Sequence, residues 1–385
     1  MRDYRNEVKQ LAPELIELRH ALHRCPELGN REVETAARVE AWLHDCGIPT
    51  ERMLETAVVG RLVGGRPGKT AALRAELDAL PLQEATGAAF ASEVPGVMHA
   101  CGHDVHMAAV LGSARLLAAH REELPGTVLF LFQPDEEGNG GAQRIIDAGA
   151  LDGADAVFGC HVSPELPLGS VGVRYGKFYA ASDTFRVTLT GRSAHGAERE
   201  KGLDALAAAA ELVTALLALP KAFPKGKSVV SVGTLRAGTA GNIVAERAEC
   251  TGIIRTLGAE NRAAMRALFR RTVEEVARRH GVTPDCALRE SYPGVVNDDA
   301  MTQLVQDAAR ALLGDGRVTV LTEPTMMTED FGCFLLQKPG CFYHIGAGCA
   351  LPLHNAAFLP DDDAVLTAAA LHAAVIEQFL TGGTP

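Results

Sequence analysis

Short apolar runs alternate with helical patterns through most of the chain, and the alternation breaks once, in the middle. Strands are predicted at Val58–Val63, Ala71–Leu77, Thr127–Phe132 and Ala156–Cys160. Apolar residues at helix spacing (Val8, Leu11, Leu15, Ile16, Leu22) predict a first helix, and others are expected near 32–46, 105–120 and 141–148. Gly47 and Pro49 supply the stop signal for the second. Strands alternating with helices predict an α/β fold, a mostly parallel sheet covered by helices. Between 182 and 292 the rhythm changes to strand (Phe185–Thr190), helix (Leu203–Leu219), strand (Ser228–Leu235), strand (Ile243–Ile254), helix (Glu260–His280) and strand (Thr283–Glu290). That βαββαβ order predicts an inserted ferredoxin-like α+β domain. The α/β pattern resumes after Pro293, with helices at 300–312 and 363–380 and strands at 318–321 and 341–345. The expected domains are therefore 1–181 with 293–385, and 182–292.

Composition removes several classes of function. Lys and Arg total 37 against 48 Asp and Glu, a net charge of −11, so a basic nucleic-acid footprint is missing. The longest apolar candidate for a membrane span, Leu203–Leu219, is interrupted by Asp204 and Glu211. The mixed-charge start leads into no apolar segment of a signal peptide. Nine scattered cysteines do not read as a disulfide framework, and a reducing, cytoplasmic setting is expected.

Polar clusters follow the predicted strands, where open α/β sheets place their sites. Ala71–Leu77 runs into Asp78, the strand ending at Phe132 into Gln133-Pro134-Asp135-Glu136-Glu137-Gly138, and Ala156–Cys160 into His161. Met98-His99-Ala100-Cys101-Gly102-His103-Asp104-Val105-His106 precedes a helix. Each feature alone has a plain reading: a buried cysteine beside a surface histidine, a solvated acidic loop, a core histidine at 161, a surface histidine at 354. Together, Cys101, His103, His161, His354 and one of the glutamates at 136 and 137 form a mixed donor set suited to two divalent cations sharing a water. Of the two adjacent glutamates, one suits a metal and the other a general base. Paired Cys-x-x-Cys spacing, the mark of a structural zinc site, is missing. Asp78 and Asp104 are candidates to orient a ligand histidine through its second nitrogen.

These residues resemble peptidase family M20, and within it the amidohydrolase branch of hippurate hydrolases, aminoacylases and N-acyl amino acid deacetylases. The resemblance covers essentially the whole chain. It is carried by His23-Arg24-Cys25-Pro26-Glu27-Leu28, Arg74 to Pro81, Met98 to Asp104, Gln133 to Glu137 and His161 to Pro167. It continues through Gly191-Arg192-Ser193-Ala194-His195-Gly196-Ala197, Asn242-Ile243-Val244, Thr328-Glu329-Asp330-Phe331 and Pro352-Leu353-His354.

The resemblance implies Cys101, His103, Glu137, His161 and His354 as ligands of two metal ions, manganese or zinc, with cobalt and nickel as alternatives. It implies Glu136 as general base, with Asp78 also in the catalytic set. His195, on the inserted domain, would stabilise the oxyanion in the partner subunit's site. Asn242 and Arg255 would contact substrate, and the inserted domain would serve as lid and homodimer interface. The implied reaction is hydrolysis of N-acyl amino acids. The alternatives are a dipeptidase or carboxypeptidase, a carbamoyl-amino-acid hydrolase, and a non-catalytic binding relative. Nucleic acid and membrane are not expected as partners. Two departures stand out: Glu76 where these enzymes usually carry aspartate, and Glu198-Arg199-Glu200-Lys201-Gly202 where they usually carry Pro-His.

Overall fold

The apolar runs become the strands of two separate sheets in the computed structural model, which describes residues 2–224 and 226–382. The strands are β1 (Thr50–Met53), β2 (Ala57–Val63), β3 (Arg66–Glu76), β4 (Pro125–Gln133), β5 (Ala156–Ser163), β6 (Val171–Val173) and β7 (Gly176–Lys177). They continue with β8 (Ala181–Thr190), β9 (Ser228–Ala237), β10 (Arg247–Thr256), β11 (Thr283–Glu290), β12 (Val296–Asn297), β13 (Val318–Val320) and β14 (Gly340–Gly346). The helices are α1 (Tyr4–Arg24), α2 (Val33–Asp45), α3 (His103–Ala119), α4 (Ala142–Asp147) and α5 (Ala205–Ala218). After them come α6 (Ala259–His280), α7 (Asp299–Leu313), α8 (Gly332–Leu335) and α9 (Asp363–Thr381). Contacts divide the chain into two units: Met1–Gly176 with Val296–Glu323 and Asp330–Pro385, and Lys177–Val295 with Pro324–Glu329.

The first unit holds an eight-stranded sheet in the order β1-β2-β4-β3-β5-β14-β6-β13. Its middle is parallel: β3 pairs β4 and β5, and β5 pairs β14. β6 also pairs β13 in parallel, while the pairs β1–β2, β2–β4 and β6–β14 are antiparallel, so the sheet is mixed, with four parallel pairings and three antiparallel. One cause is local. Leu54 and Glu55 turn β1 back on β2 with φ of 47° and 69°, a left-handed turn built without glycine or asparagine.

Helix α3 lies at the centre of this unit. Fourteen of its seventeen residues are buried, apolar residues facing all round, as expected of a helix enclosed on every side. α1 presents Tyr4, Val8, Leu15, Leu18 and Leu22 to the same core, at the spacing of one helix face. Gly112 of α3 permits the close approach: a Cβ there would lie 2.9 Å from Leu15 Cδ1 and 3.0 Å from the Ala369 Cβ of α9. α9 is apolar and long enough to cross a membrane by composition, but most of it is buried in this core. The carboxyl ends of β3 and β4 lead into Asp78 and Glu136–Glu137, and His161 lies within the last residues of β5.

The second unit has four antiparallel strands in the order β11-β8-β10-β9, with α5 and α6 on one face. Phe185, Val187 and Leu189 of β8 alternate inward with Arg186 outward, the period-two pattern of a half-covered sheet. Asp204 caps α5 by accepting from the Leu206 and Ala207 amides, each at 3.0 Å. α6 ends at Gly281, whose φ of 66° suits a left-handed cap. The strand expected from Ile243 begins only at Arg247, and Ile243 bridges His195 instead.

Candidate metal centre

Local backbone demands shape the site before any side-chain chemistry does. Gly102, with φ of 85°, precedes α3, and a Cβ there would lie 2.5 Å from Val162 Cγ2. Only glycine lets the Cys-Gly-His turn lie against β5. Asp135 has φ of 57°, a left-handed conformation uncommon outside glycine. Its carboxylate accepts from Asn30 Nδ2 at 2.6 Å, and side chains at Gly29 or Gly138 would collide with it. The Glu136–Glu137 turn is therefore held in place from both sides. His354 is likewise left-handed, with φ of 61°.

Within this unit the donors converge. Ligand atoms of Cys101, His103 and His161 lie within 4.8 Å of one another, as do those of Cys101, Glu137 and His354, and those of His103, Glu136 and Glu137. Cys101 Sγ is 3.3 Å from His161 Nε2, and His354 Nε2 is 3.0 Å from Glu137 Oε1. All are buried or half-buried except His354, whose side chain is 52% exposed and marks the open edge.

The hydrogen bonds leave the right atoms available for a metal. His103 Nδ1–H donates to the Asp78 carbonyl at 2.8 Å, and its Nε2 is buried with no protein partner. His161 Nδ1–H donates to the Val162 carbonyl at 2.7 Å, so its Nε2 lone pair faces Cys101. Fixing one nitrogen to present the other is how proteins orient histidine ligands. The Asp78 carboxylate is 3.6 Å from His103 Nδ1 and accepts the Glu137 amide at 2.9 Å, so it holds two donors in register. Asp104 does not orient a donor histidine: its carboxylate binds Arg19 and His23, at 3.0 and 2.9 Å.

The electrostatics favour a cation here. Burial, reinforced by Glu137 and Glu136, pushes the Cys101 thiol well above its ordinary range. Burial alone would lower His103, but Asp78, Glu76 and Glu137 outweigh it and raise it to about 10. A surplus of carboxylate around a thiol and an imidazole is relieved by divalent metal, which replaces those protons. The thiolate, imidazole and carboxylate donors fit such ions by type and by their free lone pairs.

A polar layer lies behind the donors. Arg74 contacts Glu76 and binds Asp330 at 2.7 Å and Gln133 at 2.9 Å. His106, which the sequence analysis left without a role, donates from Nδ1 to Glu76 at 2.8 Å. The signal for it was present: three histidines within His99–His106, of which only one was given a task.

The other expected residues belong to the second unit. His195 is exposed, and its Nδ1 accepts the Ala197 amide at 3.1 Å, which leaves Nε2–H as a donor. Asn242 lies beside it, its carbonyl accepting the Gly196 amide at 2.8 Å. Arg255 donates to the Met326 carbonyl at 2.8 Å, and its buried Nε has no partner. Burial lowers its pKa, with no carboxylate opposing the shift.

The model of the Peptidase family M20/M25/M40 matches residues 72–378. The chain belongs to the M20 family. An N-acetylcysteine deacetylase of Bacillus subtilis is 37% identical over 92% of this chain and 93% of its own. A protein named thermostable carboxypeptidase 2, from Saccharolobus solfataricus, is 36% identical over 97% of this chain and 98% of its own. A Bacillus subtilis crystal structure, described as a dinuclear metal binding peptidase of the M20 family, superposes with a TM-score of 0.88 at 35% identity, covering 97% and 99% of the two chains. This M20 chain is accordingly a metal-dependent hydrolase of amide bonds.

Proposed function

We propose that the protein cleaves N-acyl amino acids to a carboxylic acid and a free amino acid. The observation that carries this reading is the buried donor set with Glu136 beside it. Cys101, His103, Glu137, His161 and His354 would hold two divalent ions, zinc favoured by the thiolate and imidazoles, manganese by the carboxylate. When bound, such ions supply Lewis acidity that acidifies water and polarises a carbonyl. Glu136 takes a proton from the attacking water and returns it to the leaving nitrogen. Asp78 keeps His103 and Glu137 in place through the contacts described above. His195, with its Nε2–H free, donates to the oxyanion, and Arg255 and Asn242 bind the amino-acid carboxylate and carbonyl.

The second unit serves in this reading as a ferredoxin-like insertion (182–292) within a discontinuous catalytic domain (1–181 and 293–385). Its βαββαβ order and antiparallel four-stranded sheet support that assignment. It acts as lid and homodimer interface, so that His195 reaches the partner subunit's site. A cytoplasmic location suits the reduced Cys101 thiol that the donor set needs.

A carboxypeptidase or dipeptidase is the second reading. The Saccharolobus relative favours it, and Arg255 suits the terminal carboxylate of a peptide equally well. Incubating the metal-loaded enzyme with pooled N-acyl amino acids and dipeptides, with mass-spectrometric product detection, separates the two. Free amino acid released chiefly from the N-acyl pool is expected. Cleavage of dipeptides alone would overturn the proposal in favour of the peptidase.

A further inference from the structure

We propose that His106 is a positioning residue that aims the metal-facing nitrogen of His161 by holding Val162. Parallel pairing between β3 and β5 ends at Arg74 opposite Gly159, so Val162 lies past the last β5 residue that β3 supports. The Val162 amide donates instead to His106 Nε2, at 3.0 Å. The Val162 carbonyl accepts His161 Nδ1–H at 2.7 Å. Its side chain lies against Gly102, where a Cβ would come within 2.5 Å. Val162 is thus held at its amide, its carbonyl and its side chain, and the carbonyl in turn sets the plane of the His161 ring.

The tautomer of His106 follows from the same bonds. Nε2 accepts, so it carries no proton, and Nδ1 carries the proton donated to Glu76 at 2.8 Å. Glu76 is itself held by Arg74. This chain of bonds also decides against a competing use. Ligand atoms of Glu76, His103 and His106 lie within 4.8 Å of one another, close enough to suggest a further metal triad. His106 has no lone pair to offer it, since Val162 takes one nitrogen and Glu76 the proton of the other. With a shorter side chain at 106, the Val162 amide would be buried without an acceptor, and such groups turn towards one. The His161 ring would turn with it.

The inference rests on the proposed ligand role of His161, and the experiment separates the two. Wild type and the variants His106→Gln, His106→Asn and His161→Ala are stripped with chelator and titrated with Co(II). The readouts are the affinity of each ion and the thiolate-to-cobalt absorption contributed by Cys101. Glutamine can place its oxygen where His106 Nε2 lies, whereas asparagine reaches only towards Glu76. His106→Asn is expected to weaken one of the two ions about 10–100-fold, and His106→Gln to stay within about threefold of wild type. Equal affinities in the two variants, or tighter binding by asparagine, would overturn the role of His106. If His161→Ala still binds two ions as wild type does, the ligand assignment fails and this inference fails with it. If His161→Ala loses an ion while His106→Asn does not, only the inference falls.

Discussion

At the scale of single residues, Cys101 belongs to two donor groups and His354 to one. Cys101 lies within reach of His103 and His161 on one side and of Glu137 and His354 on the other. His354→Ala is therefore expected to leave about one tightly bound ion per chain, and Cys101→Ala to weaken both. Elemental analysis of the purified variants checks this, and equal losses would contradict the sharing. Gly102 is the second residue on which the centre depends. Gly102→Ala puts a Cβ against Val162 at a φ of 85°, and a loss of about 2–3 kcal/mol with reduced metal content is expected from chemical denaturation and metal analysis. The chemistry of the donors also gives metal binding a pH slope. Cys101 and His103 are both held above neutrality and must lose protons to bind metal, whereas burial holds His161 well below its usual range. Metal uptake at neutral pH should therefore release about two protons, and affinity should fall as pH falls. Calorimetry in buffers of different ionisation enthalpy measures that number.

At the scale of elements, the start of α3 is tied to α1 by buried charge. Asp104 binds Arg19 and His23, both on α1. Burial alone would lower His23, but Asp104 and Glu84 prevail and raise it to about 9. A raised histidine stabilises fully below its unfolded value near 6.5 and loses that contribution as pH rises through 9. Stability should decline by up to about 3 kcal/mol across that window, and His23→Gln should flatten the decline in thermal melts recorded against pH. Elements with strong periodicity were legible in advance. α1, α3, α6, α9 and the strands around Ala71, Val128 and Ala156 lie within a few residues of their expected positions. The β1–β2 hairpin was not, because Leu54 and Glu55 adopt left-handed turns with no glycine to announce them. The strand expected from Ile243 was placed four residues early, because apolar Ile243 and Val244 continue the strand pattern while the chain there still follows His195. The Glu136–Glu137 pair and His161 stood out because apolar strands lead into them, Cys101 and His103 because they precede a helix, and His354 only through its resemblance to the family pattern. The role of His106 was not, since it depends on a backbone amide of β5 that no residue pattern reveals.

At the scale of the whole molecule, the proposed dimer makes each site depend on two chains. His195→Ala and Glu136→Gln are each expected to lower kcat by about 100-fold or more. Mixing the two variants under subunit exchange should restore part of the activity, because one site of each hybrid dimer receives an intact His195 and an intact Glu136. No recovery in a mixture shown to exchange subunits would contradict the cross-subunit role. The central claim, a two-metal centre served by Glu136, is tested most directly by measuring metal content and turnover on one preparation of Glu136→Gln. Two ions per chain, as in the wild type, with turnover down about 100-fold or more, is the result expected. Turnover at the wild-type rate with both ions in place would contradict it.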